Sequence, residues 1–261
     1  MQGSKPCFTV KIGGRLAEQE DHLRLLAADL KDLRSEYELL LVHGGGAEVT
    51  RISEQLGFRP VFREGIRITT AEQMEVVEMI LSGKVNKRLV RLFQACGLPA
   101  VGLCGADGRI YTGRSLGSIN ELPTRTGKVA EVEVELLRCL LREGYFPVIS
   151  STTMDETGEG ININADTVAF ELACSLNSRV LMFLSDIPGV LKNEAVIPLL
   201  LPEQVKSEIR EGTISGGMIP KATSALEALK RGVGKVIIGQ YGGRGSLRAL
   251  VSGDMGTRFE A

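Results

Sequence analysis

Residues 39–46 read Leu-Leu-Leu-Val-His-Gly-Gly-Gly and constrain the fold of this chain more than any other stretch. Four consecutive apolar residues are typical of a strand that is buried on both faces of a parallel sheet. Residues 47–56 predict the helix that follows, and the glycines leave the connecting turn without side chains. Backbone N–H groups and the helix dipole meet at such a junction and favour an anion. We therefore expect an anion-binding turn at the end of this strand.

The composition is that of an ordinary α/β protein. The 261 residues suffice for one large domain or for two lobes around one sheet. With 31 basic and 32 acidic residues, the chain has no excess charge to bind nucleic acid or an anionic membrane nonspecifically. The five cysteines are scattered and never spaced CxxC, so we expect them to be reduced and mostly buried rather than part of a redox or metal site.

The first residues and the hydropathy pattern predict a cytoplasmic protein. The chain starts with polar residues that lead directly into a strand, which is unlike a signal peptide. No apolar run reaches about 18 residues, the length that a membrane-spanning helix needs.

Predicted strands and helices alternate along the chain. Strands are expected at residues 7–12, 39–42, 99–103, 147–149, 161–163, 180–184 and 235–239, and extended runs at 60–62 and 66–68 predict a hairpin. Helices are expected at residues 18–35, 47–56, 70–82, 85–95, 133–142, 165–174, 202–211 and 218–231, with Gly83 between the third and fourth and a short tail after the last strand. This alternation predicts a mainly parallel sheet covered on both faces, with a lobe boundary near residues 176–179.

Three basic residues stand at positions where a binding site is expected. Lys11 ends the first strand at its carboxyl end, where α/β sheets bind ligands, and alternation directs it away from the face of Val10. Lys221 lies in the first turn of a helix, where the dipole disfavours a cation unless an anion is held there. Arg67 interrupts an apolar hairpin strand. The alternative for each is a solvated surface side chain.

Residues 162–166, Asn-Ile-Asn-Ala-Asp, are the second dense polar stretch. Alternation places Asn162 and Asn164 on one side of a strand end, and Asp166 begins a helix. A helix N-cap explains one such residue, but three polar groups exceed that need and favour a site. Residues 185–190 follow the strand at 180–184, again at a carboxyl end.

The remaining motifs exclude several common classes of site. His43 and His22 are isolated, so they offer neither a metal site nor a catalytic triad, and we interpret His43 as a structural hydrogen-bonding residue rather than a catalytic base. Val49 stands where a dinucleotide fingerprint has its third glycine, and no GxxxxGK[ST] occurs in the chain. A phosphate site here belongs to neither of these nucleotide-binding classes.

An ordered set of motifs covers nearly the whole chain. They are KIGG at Lys11, VHGGG at Val42, GIRIT at Gly65, NK at Asn86, VGLCGADG at Val101, NINAD at Asn162, SDIPGVL at Ser185, GGMIPK at Gly216 and MGTR at Met255. This set resembles the amino-acid kinase family, and within it the members that phosphorylate N-acetylglutamate. The resemblance implies an open αβα sandwich, with an N-terminal lobe (1–177) for amino-acid binding and dimerisation and a C-terminal lobe (178–261) for ATP. Ala130 departs from the glycine that the family commonly has there, in a β-hairpin near the substrate side.

The resemblance also implies residue roles. Lys11 and Lys221 correspond to the lysines that stabilise the transferring phosphoryl group, and Asp166 to the residue that holds both. The residues that correspond to the substrate site are Gly45, Gly46, Arg67 and Asn162, with Arg67 on a carboxylate. Those that correspond to the ATP site are Gly14, which faces the phosphates, and Asp186, Ile187, Pro188, Gly189, Val190, Leu191, Thr213, Ile214 and Ser215. Mg²⁺ is expected to be held mainly by the nucleotide phosphates, with no metal ligand from the protein.

The implied reaction agrees with the residues present. A side-chain carboxylate has a pKa of about 4.3 and is ionised at neutral pH, so it needs no general base to act as nucleophile. The expected product is N-acetyl-L-glutamyl 5-phosphate, the second step of arginine synthesis in this family. Two alternatives remain open at this point. One is a kinase for an N-blocked 2-aminoadipate, which differs by a methylene worth about 1–3 kcal/mol; the other is a non-catalytic ligand sensor, which the presence of both lysines and Asp166 disfavours.

The apolar residues Met74, Val77, Ile80 and Leu81 lie on one stripe of a predicted helix. We interpret this stripe as the interface of a homodimer; ordinary core residues are the alternative. Residues 1–6 are too few for a helix, which needs about 12 residues. Family members inhibited by arginine resemble one another in carrying such a helix, which links dimers into a hexamer. We therefore expect a dimer that is indifferent to arginine.

Overall fold

A central sheet organises the computed structural model, which describes residues 5–63, 66–216 and 218–261. The strands are β1 (Cys7–Ile12), β2 (Glu38–His43), β3 (Val61–Arg63), β4 (Ile66–Ile68), β5 (Ala100–Leu103), β6 (Tyr111–Ser115), β7 (Ser118–Ile119), β8 (Leu122–Pro123), β9 (Thr126–Val132), β10 (Phe146–Ser150), β11 (Thr152–Met154), β12 (Gly160–Ile163), β13 (Val180–Ser185), β14 (Leu191–Lys192), β15 (Ala195–Val196), β16 (Leu199–Leu200), β17 (Lys235–Gln240) and β18 (Thr257–Phe259). The α-helices are α1 (Glu20–Leu33), α2 (Gly46–Gln55), α3 (Ala71–Glu78), α4 (Asn86–Ala95), α5 (Glu135–Arg142), α6 (Ala165–Ser175), α7 (Pro202–Arg210), α8 (Met218–Lys230) and α9 (Ser246–Ser252).

The central sheet has eight strands in the order β16-β18-β17-β13-β1-β2-β10-β5. Neighbouring strands are parallel except β17 and β18, which are antiparallel. A smaller sheet, in the order β11-β12-β9-β6, lies outside it. This architecture confirms the predicted α/β fold with a mainly parallel central sheet. The predicted lobe boundary falls between α6 and β13, and the sheet continues across it through the pairing of β1 with β13.

Successive residues of β1 face opposite sides of the sheet, as its alternation predicts. Phe8, Val10 and Ile12 belong to one apolar cluster, to which α1, α4 and α9 contribute. The other face is covered by a second cluster, which includes residues of α5, α6 and α8. Lys11 pairs in register with Phe183 of that second cluster and so shares the face of α6 and α8.

The helices predicted on either side of Gly83 are continuous, so the predicted break is wrong. A π-helix, Met79–Val85, joins α3 to α4 and contains Gly83. Its i→i+5 hydrogen bonds absorb extra residues without ending the helix. Gly83 is exposed, and a Cβ there would meet nothing within 4 Å, so a glycine at this point does not mark a turn.

The apolar stripe predicted as a dimer interface is core instead. Met74, Val77, Ile80 and Leu81 are each no more than 4% exposed within a single chain. They belong to the first apolar cluster, and their helix packs against α2 and against β12 of the smaller sheet. A stripe at helical spacing indicates that one face is buried, but it does not distinguish a partner chain from the chain's own core.

The predicted C-terminal tail is also wrong, because it forms α9 and β18. Both elements are short, and periodicity is weak over so few residues. The predicted hairpin is confirmed by the antiparallel pairing of β3 with β4. Its turn at residues 64–65, together with Gly217 and residues 1–4, lies outside the described residues. All five cysteines are free, as predicted, but only Cys7 and Cys174 are buried; Cys96 and Cys104 are partly buried and Cys139 is exposed.

Asp29 ties α1 to the segment that follows β17. Its carboxylate is 3% exposed and pairs with the Arg244 guanidinium. It also accepts hydrogen bonds from the Gly245 N–H at 2.8 Å, the Leu247 N–H at 3.2 Å and the Tyr241 hydroxyl at 3.3 Å. A buried carboxylate with this many donors is fully compensated, and removing it leaves those donors unpaired.

Replacing Asp29 with alanine should therefore lower the free energy of unfolding by about 3–5 kcal/mol, because it leaves the buried Leu247 N–H and Tyr241 hydroxyl without their acceptor. Urea unfolding followed by circular dichroism measures this loss. Asp32→Ala is the matched control, because Asp32 pairs with the same guanidinium at 2.6 Å but its side chain is 55% exposed. That variant should lose less than about 1 kcal/mol. Equal losses in the two variants would contradict the assignment.

Candidate active site

Lys11, Asp166 and Lys221 meet although they are far apart in the sequence. Lys11 Nζ lies 2.8 Å from Asp166 Oδ1, and Lys221 Nζ lies 2.7 Å from Asp166 Oδ2. Each carboxylate oxygen thus faces one ammonium group. The cluster carries one net positive charge and is open enough to reach a ligand, since the three side chains are 15–28% exposed.

One strand and two helices that pack on the same face of the sheet position this cluster. Lys11 comes from the carboxyl end of β1, Asp166 from the first turn of α6 and Lys221 from the first turn of α8. Asn164 caps α6 by accepting the Asp166 N–H at 2.8 Å, which fixes the turn that carries the carboxylate. The Lys221 ammonium also lies 5.7 Å from the centroid of the Phe183 ring on β13.

The charge of Asp166 is maintained by the two lysines. Burial by itself raises the pKa of this carboxyl, but the charges and hydrogen bonds of Lys11 and Lys221 outweigh burial and hold the pKa below its ordinary value. The carboxylate therefore stays ionised at neutral pH and keeps two like charges close together. Two ammonium groups oriented in this way are suited to an anionic group with several oxygens.

Gly13 leaves the space that the Lys11 ammonium occupies. A Cβ at position 13 would lie 2.6 Å from Lys11 Nζ. A side chain there would have to shift the flexible end of Lys11. The glycine of the Lys-Ile-Gly-Gly motif thus leaves room for the ammonium in its place beside Asp166.

The turn between β2 and α2 lines a cavity of about 460 Å³ beside this cluster. Gly45 and Gly46 line it, and neither of their N–H groups donates to another residue in the described ranges. A Cβ on Gly45 would lie 2.8 Å from Leu81 Cδ2 of the π-helix, so only glycine lets the turn approach that closely. The predicted anion-binding turn therefore presents free backbone donors to a cavity. Ala165, next to Asp166, lines the same cavity.

Arg67 brings a positive charge to the lining of the same cavity, next to the glycine turn. Its guanidinium donates to Gly46 O at 3.1 Å and to Thr50 Oγ1, and it lies 4.7 Å from the centroid of the Phe62 ring. Burial lowers the pKa of Arg67. No carboxylate within the described part of the chain forms an ion pair with it. A half-buried guanidinium in this situation favours an acidic ligand.

Asn162 and Asn164 both line the cavity, so the polar stretch at residues 162–166 serves two purposes. Asn164 is the helix cap. Asn162, on β12, donates its amide to Thr69 Oγ1 at 3.1 Å and is partly buried. The apolar part of the wall is formed by Phe62, Ile66, Val77 and Leu81. The cavity thus suits a small acid with an aliphatic chain.

A second cavity, of about 340 Å³, lies at the carboxyl ends of β13 and β17. It is lined by Pro188, Val196, Pro198, Gln240, Gly242, Gly253, Asp254, Met255 and Gly256. Of the residues predicted for ATP, Pro188 is in this lining. Gln240 was missed, although it ends β17 and the rule that identified Lys11 applies to it equally.

The other residues predicted for ATP lie in three kinds of surroundings. Asp186 and Leu191 are exposed in the segment after β13, with Ile187 partly buried between them. Val190 and Ile214 are buried in the second apolar cluster, so they offer backbone groups at most. The rest are Gly189, which is buried beside Thr257, Thr213 and Ser215, which follow α7, and Gly14, which follows β1.

His43 is fully buried and does not line the cavity. Burial lowers its pKa to about 4, so it is neutral at physiological pH. Its ring nitrogens contact Gly44 O and the Asn86 amide. The interpretation of His43 as a hydrogen-bonding residue therefore agrees with its geometry.

Within residues 5–63, 66–216 and 218–261, no group of three or more His, Cys, Asp or Glu side chains is arranged to hold a metal ion. Nor does any helix in these ranges have the length and apolarity to cross a membrane.

Comparison with known proteins gives one consistent result. The model of the amino acid kinase family matches residues 7–240. The chain is 45% identical over 231 residues to the chloroplastic acetylglutamate kinase of Arabidopsis thaliana, an alignment that covers 87% of this chain and 66% of that protein. It is 39% identical over 232 residues to the acetylglutamate kinase of Kosmotoga olearia, covering 88% of this chain and 82% of that one.

The fold is also found in a solved structure. The N-acetylglutamate synthase of Neisseria gonorrhoeae, complexed with coenzyme A and N-acetyl-glutamate, superposes with a TM-score of 0.85 over all of this chain and 60% of that one. At 23% identity, this likeness concerns the fold alone. The comparisons together confirm the family resemblance that the ordered motifs indicate.

Asp166→Asn tests the electrostatics of the cluster. Because the folded-state pKa of Asp166 lies below the ordinary value of about 3.9, the ionised carboxylate stabilises the fold above that pH. This contribution is lost as the pH falls through the folded-state pKa. The variant should be less stable at pH 7 by about 1–3 kcal/mol, and the difference should narrow at pH 3. Urea unfolding at pH 7, 5 and 3 measures the difference in the free energy of unfolding between wild type and variant. A difference that is independent of pH would refute the pairing of an ionised Asp166 with the lysines.

Proposed function

The chain belongs to the amino acid kinase family, and on that premise we propose that it transfers the γ-phosphoryl group of ATP to the side-chain carboxylate of N-acetyl-L-glutamate. The product is N-acetyl-L-glutamyl 5-phosphate, an intermediate of arginine biosynthesis. One observation carries this proposal: Asp166 holds two ammonium groups beside a cavity that Arg67 also lines, and no carboxylate of the described residues forms an ion pair with its guanidinium. The names of the relatives favour N-acetylglutamate over a longer 2-aminoadipate and over a ligand sensor.

The cavity suits a dicarboxylic acid bound at one end and reacting at the other. Arg67 pairs with the α-carboxylate, and Asn162 donates to the acetylated end of the substrate. The apolar wall contacts the methylene groups and the acetyl methyl group. The side-chain carboxylate then lies near the free N–H groups of Gly45 and Gly46, towards the lysines. Positioning of this kind accounts for much of the rate of a phosphoryl transfer.

The nucleophile requires no general base. One oxygen of the ionised carboxylate attacks the γ-phosphorus, the bond from that phosphorus to the bridging oxygen of ADP breaks, and ADP leaves with the electron pair. Charge increases on the transferring oxygens and on the leaving oxygen. Lys11 and Lys221 stabilise this charge, and Asp166 fixes the direction of both ammonium groups. A neutral, buried His43 takes no proton in this scheme.

ATP is bound on the other side of the lysines. We assign Gly14 to the phosphates, and residues 186–191 and 213–215, with Gln240, to the nucleoside. Both oxygens of Asp166 already face lysines, and the described residues offer no acidic cluster for a metal. Mg²⁺ would therefore be held by the phosphates of ATP, whose charge it neutralises. From the family resemblance we further propose a cytoplasmic homodimer, with an interface outside the buried stripe on α3 and the π-helix.

A direct assay tests the function. Purified protein is mixed with ATP, Mg²⁺ and N-acetyl-L-glutamate, ADP is measured by a coupled reaction, and the acyl phosphate is trapped with hydroxylamine. ADP and hydroxamate should form in equal amounts. N-Acetyl-L-2-aminoadipate should react with kcat/KM at least about tenfold lower, the scale for one extra methylene. ADP without hydroxamate would refute the carboxylate acceptor.

Lys221→Ala should lower kcat by about 10²-fold or more, since it removes a charge that acts mainly on the transition state. The KM for N-acetyl-L-glutamate should change little, because Lys221 contacts the phosphoryl group rather than the amino acid. Steady-state kinetics with each substrate varied in turn measures both constants. A variant with near-normal kcat would rule out this role for Lys221.

Arg67→Ala is the contrasting variant, because it removes a positive charge from the other end of the same cavity. It should mainly raise the KM for N-acetyl-L-glutamate through loss of a charge-assisted pair with the carboxylate. The KM for ATP should stay near normal. A dominant effect on ATP would instead reverse the proposed assignment of the two lobes.

A further inference from the structure

Behind the glycine turn lies a buried polar network that the phosphoryl transfer chemistry does not use. His43 and Asn86 are both fully buried, on β2 and at the start of α4. His43 Nδ1 lies 2.9 Å from Gly44 O, and His43 Nε2 lies 3.1 Å from Asn86 Nδ2. Asn86 Nδ2 also donates to Val148 O at 2.8 Å. A connected set of this kind in an apolar interior must have every donor matched to an acceptor.

The partners determine which His43 nitrogen carries the proton. Val148 O only accepts, so the atom of Asn86 that faces it is the amide nitrogen. The same NH₂ group faces His43 Nε2, which must therefore accept and be unprotonated. Nδ1 then carries the proton and donates it to Gly44 O, which also only accepts. Both ends of the network thus require the same tautomer.

Two further contacts fix the orientation of Asn86. Lys87 Nζ donates to Asn86 Oδ1 at 3.0 Å and to Gly102 O at 2.9 Å. A Cβ on Gly102 would lie 2.0 Å from Asn86 Oδ1, so the glycine of β5 leaves room for this amide. Lys87 and Gly102 therefore fix the Asn86 amide, and Asn86 in turn orients His43. Through these contacts they act on the histidine and not on a ligand.

The trans peptide unit between residues 44 and 45 links this network to the cavity. In a planar trans peptide, the C=O and N–H bonds point in opposite directions. His43 holds the Gly44 carbonyl on the side of its own buried ring. The Gly45 N–H of the same unit is consequently turned to the opposite side, and Gly45 lines the cavity with an N–H that donates to no described residue.

We propose that His43 is a positioning residue whose Nδ1–H, oriented by Asn86, holds the Gly44–Gly45 peptide so that the Gly45 N–H faces the reacting carboxylate. The inference rests on the proposed function for the identity of the ligand, but the hydrogen-bond network exists without it. Free rotation of this peptide would turn a carbonyl oxygen, rather than an N–H, towards an anionic substrate. Fixing the peptide therefore excludes a repulsive orientation as well as selecting an attractive one.

The tautomer is measured without any activity assay. Long-range ¹H–¹⁵N NMR of the full chain at pH 7 distinguishes the protonated from the unprotonated ring nitrogen. The chain has two histidines, so spectra of His22→Gln assign the His43 signals. A protonated Nδ1 with an unprotonated Nε2 supports the proposal. The proton on Nε2, or a doubly protonated ring, overturns it.

Two substitutions separate positioning from general stability. The amide of His43→Asn ends near the position of Nδ1 and can still donate to Gly44 O. The amide of His43→Gln reaches the position of Nε2, so it satisfies Asn86 but leaves Gly44 O without its donor. Each variant loses one buried hydrogen bond, and their melting temperatures should fall by similar amounts.

Their kinetics should differ. His43→Gln should lower kcat by about 10²-fold, the lower end of the scale for losing one oriented donor, with the KM for ATP unchanged. His43→Asn should retain kcat within about threefold of the wild type, because its amide still holds the Gly44 carbonyl. This loss is smaller than the loss expected when the Gly45 N–H is no longer oriented. Equal losses of kcat in both variants, or normal kcat in His43→Gln, would overturn the positioning role. Wild-type protein that is inactive on N-acetyl-L-glutamate would instead refute the proposed function, and the NMR result would still decide the inference.

Discussion

The contact of one carboxylate with two ammonium groups is the constraint on which the rest of the site depends. Two lysines beside each other repel, and Asp166 compensates that repulsion with one oxygen for each. The arrangement requires β1, α6 and α8 to begin or end at the same place on one face of the sheet. It also requires a capped α6, which Asn164 supplies, and empty space at Gly13. The carboxylate neutralises one of the two ammonium charges within this partly buried cluster. The second positive charge remains for an anionic ligand.

Parallel topology explains why so many parts of the site converge. The carboxyl ends of parallel strands meet at one edge of the sheet, where the following helices begin. β1 contributes Lys11 there, β2 contributes the glycine turn, and β13 and β17 border the second cavity. The smaller sheet adds Asn162, and the hairpin of β3 and β4 adds Arg67. Cationic side chains from separate elements therefore lie around one cavity, together with glycine N–H groups that donate to no other described residue.

The sequence was sufficient for those features that depend on strand ends and alternation, and insufficient for those that depend on packing at a distance. Lys11 is identifiable because it ends a strand at the carboxyl end, where α/β sheets bind ligands. Lys221 is identifiable because a cation is disfavoured in the first turn of a helix, and Asp166 because one helix cap does not need three polar residues. The stripe through Met74 and Leu81 was assigned to a partner chain because periodicity does not specify what covers a face. The π-helix was missed because its hydrogen bonds pass through Gly83 without a break. The contact of His43 with Asn86 joins residues 43 positions apart, and no local pattern specifies such a pair.

Phosphorylation of an ionised carboxylate involves no proton transfer, and this affects which residues can lie behind the glycine turn. A kinase for a hydroxyl group needs a base close to its nucleophile, and a base must be able to change its protonation state. A carboxylate substrate arrives ionised, so the residue behind the turn is free to be fixed in one tautomer. His43 meets this condition: burial lowers its pKa to about 4, and protonating Nε2 would place two donors face to face with Asn86. The histidine of the Val-His-Gly-Gly-Gly motif thus contributes two hydrogen-bonding atoms at a fixed distance, an acceptor for the Asn86 amide and a donor for Gly44 O.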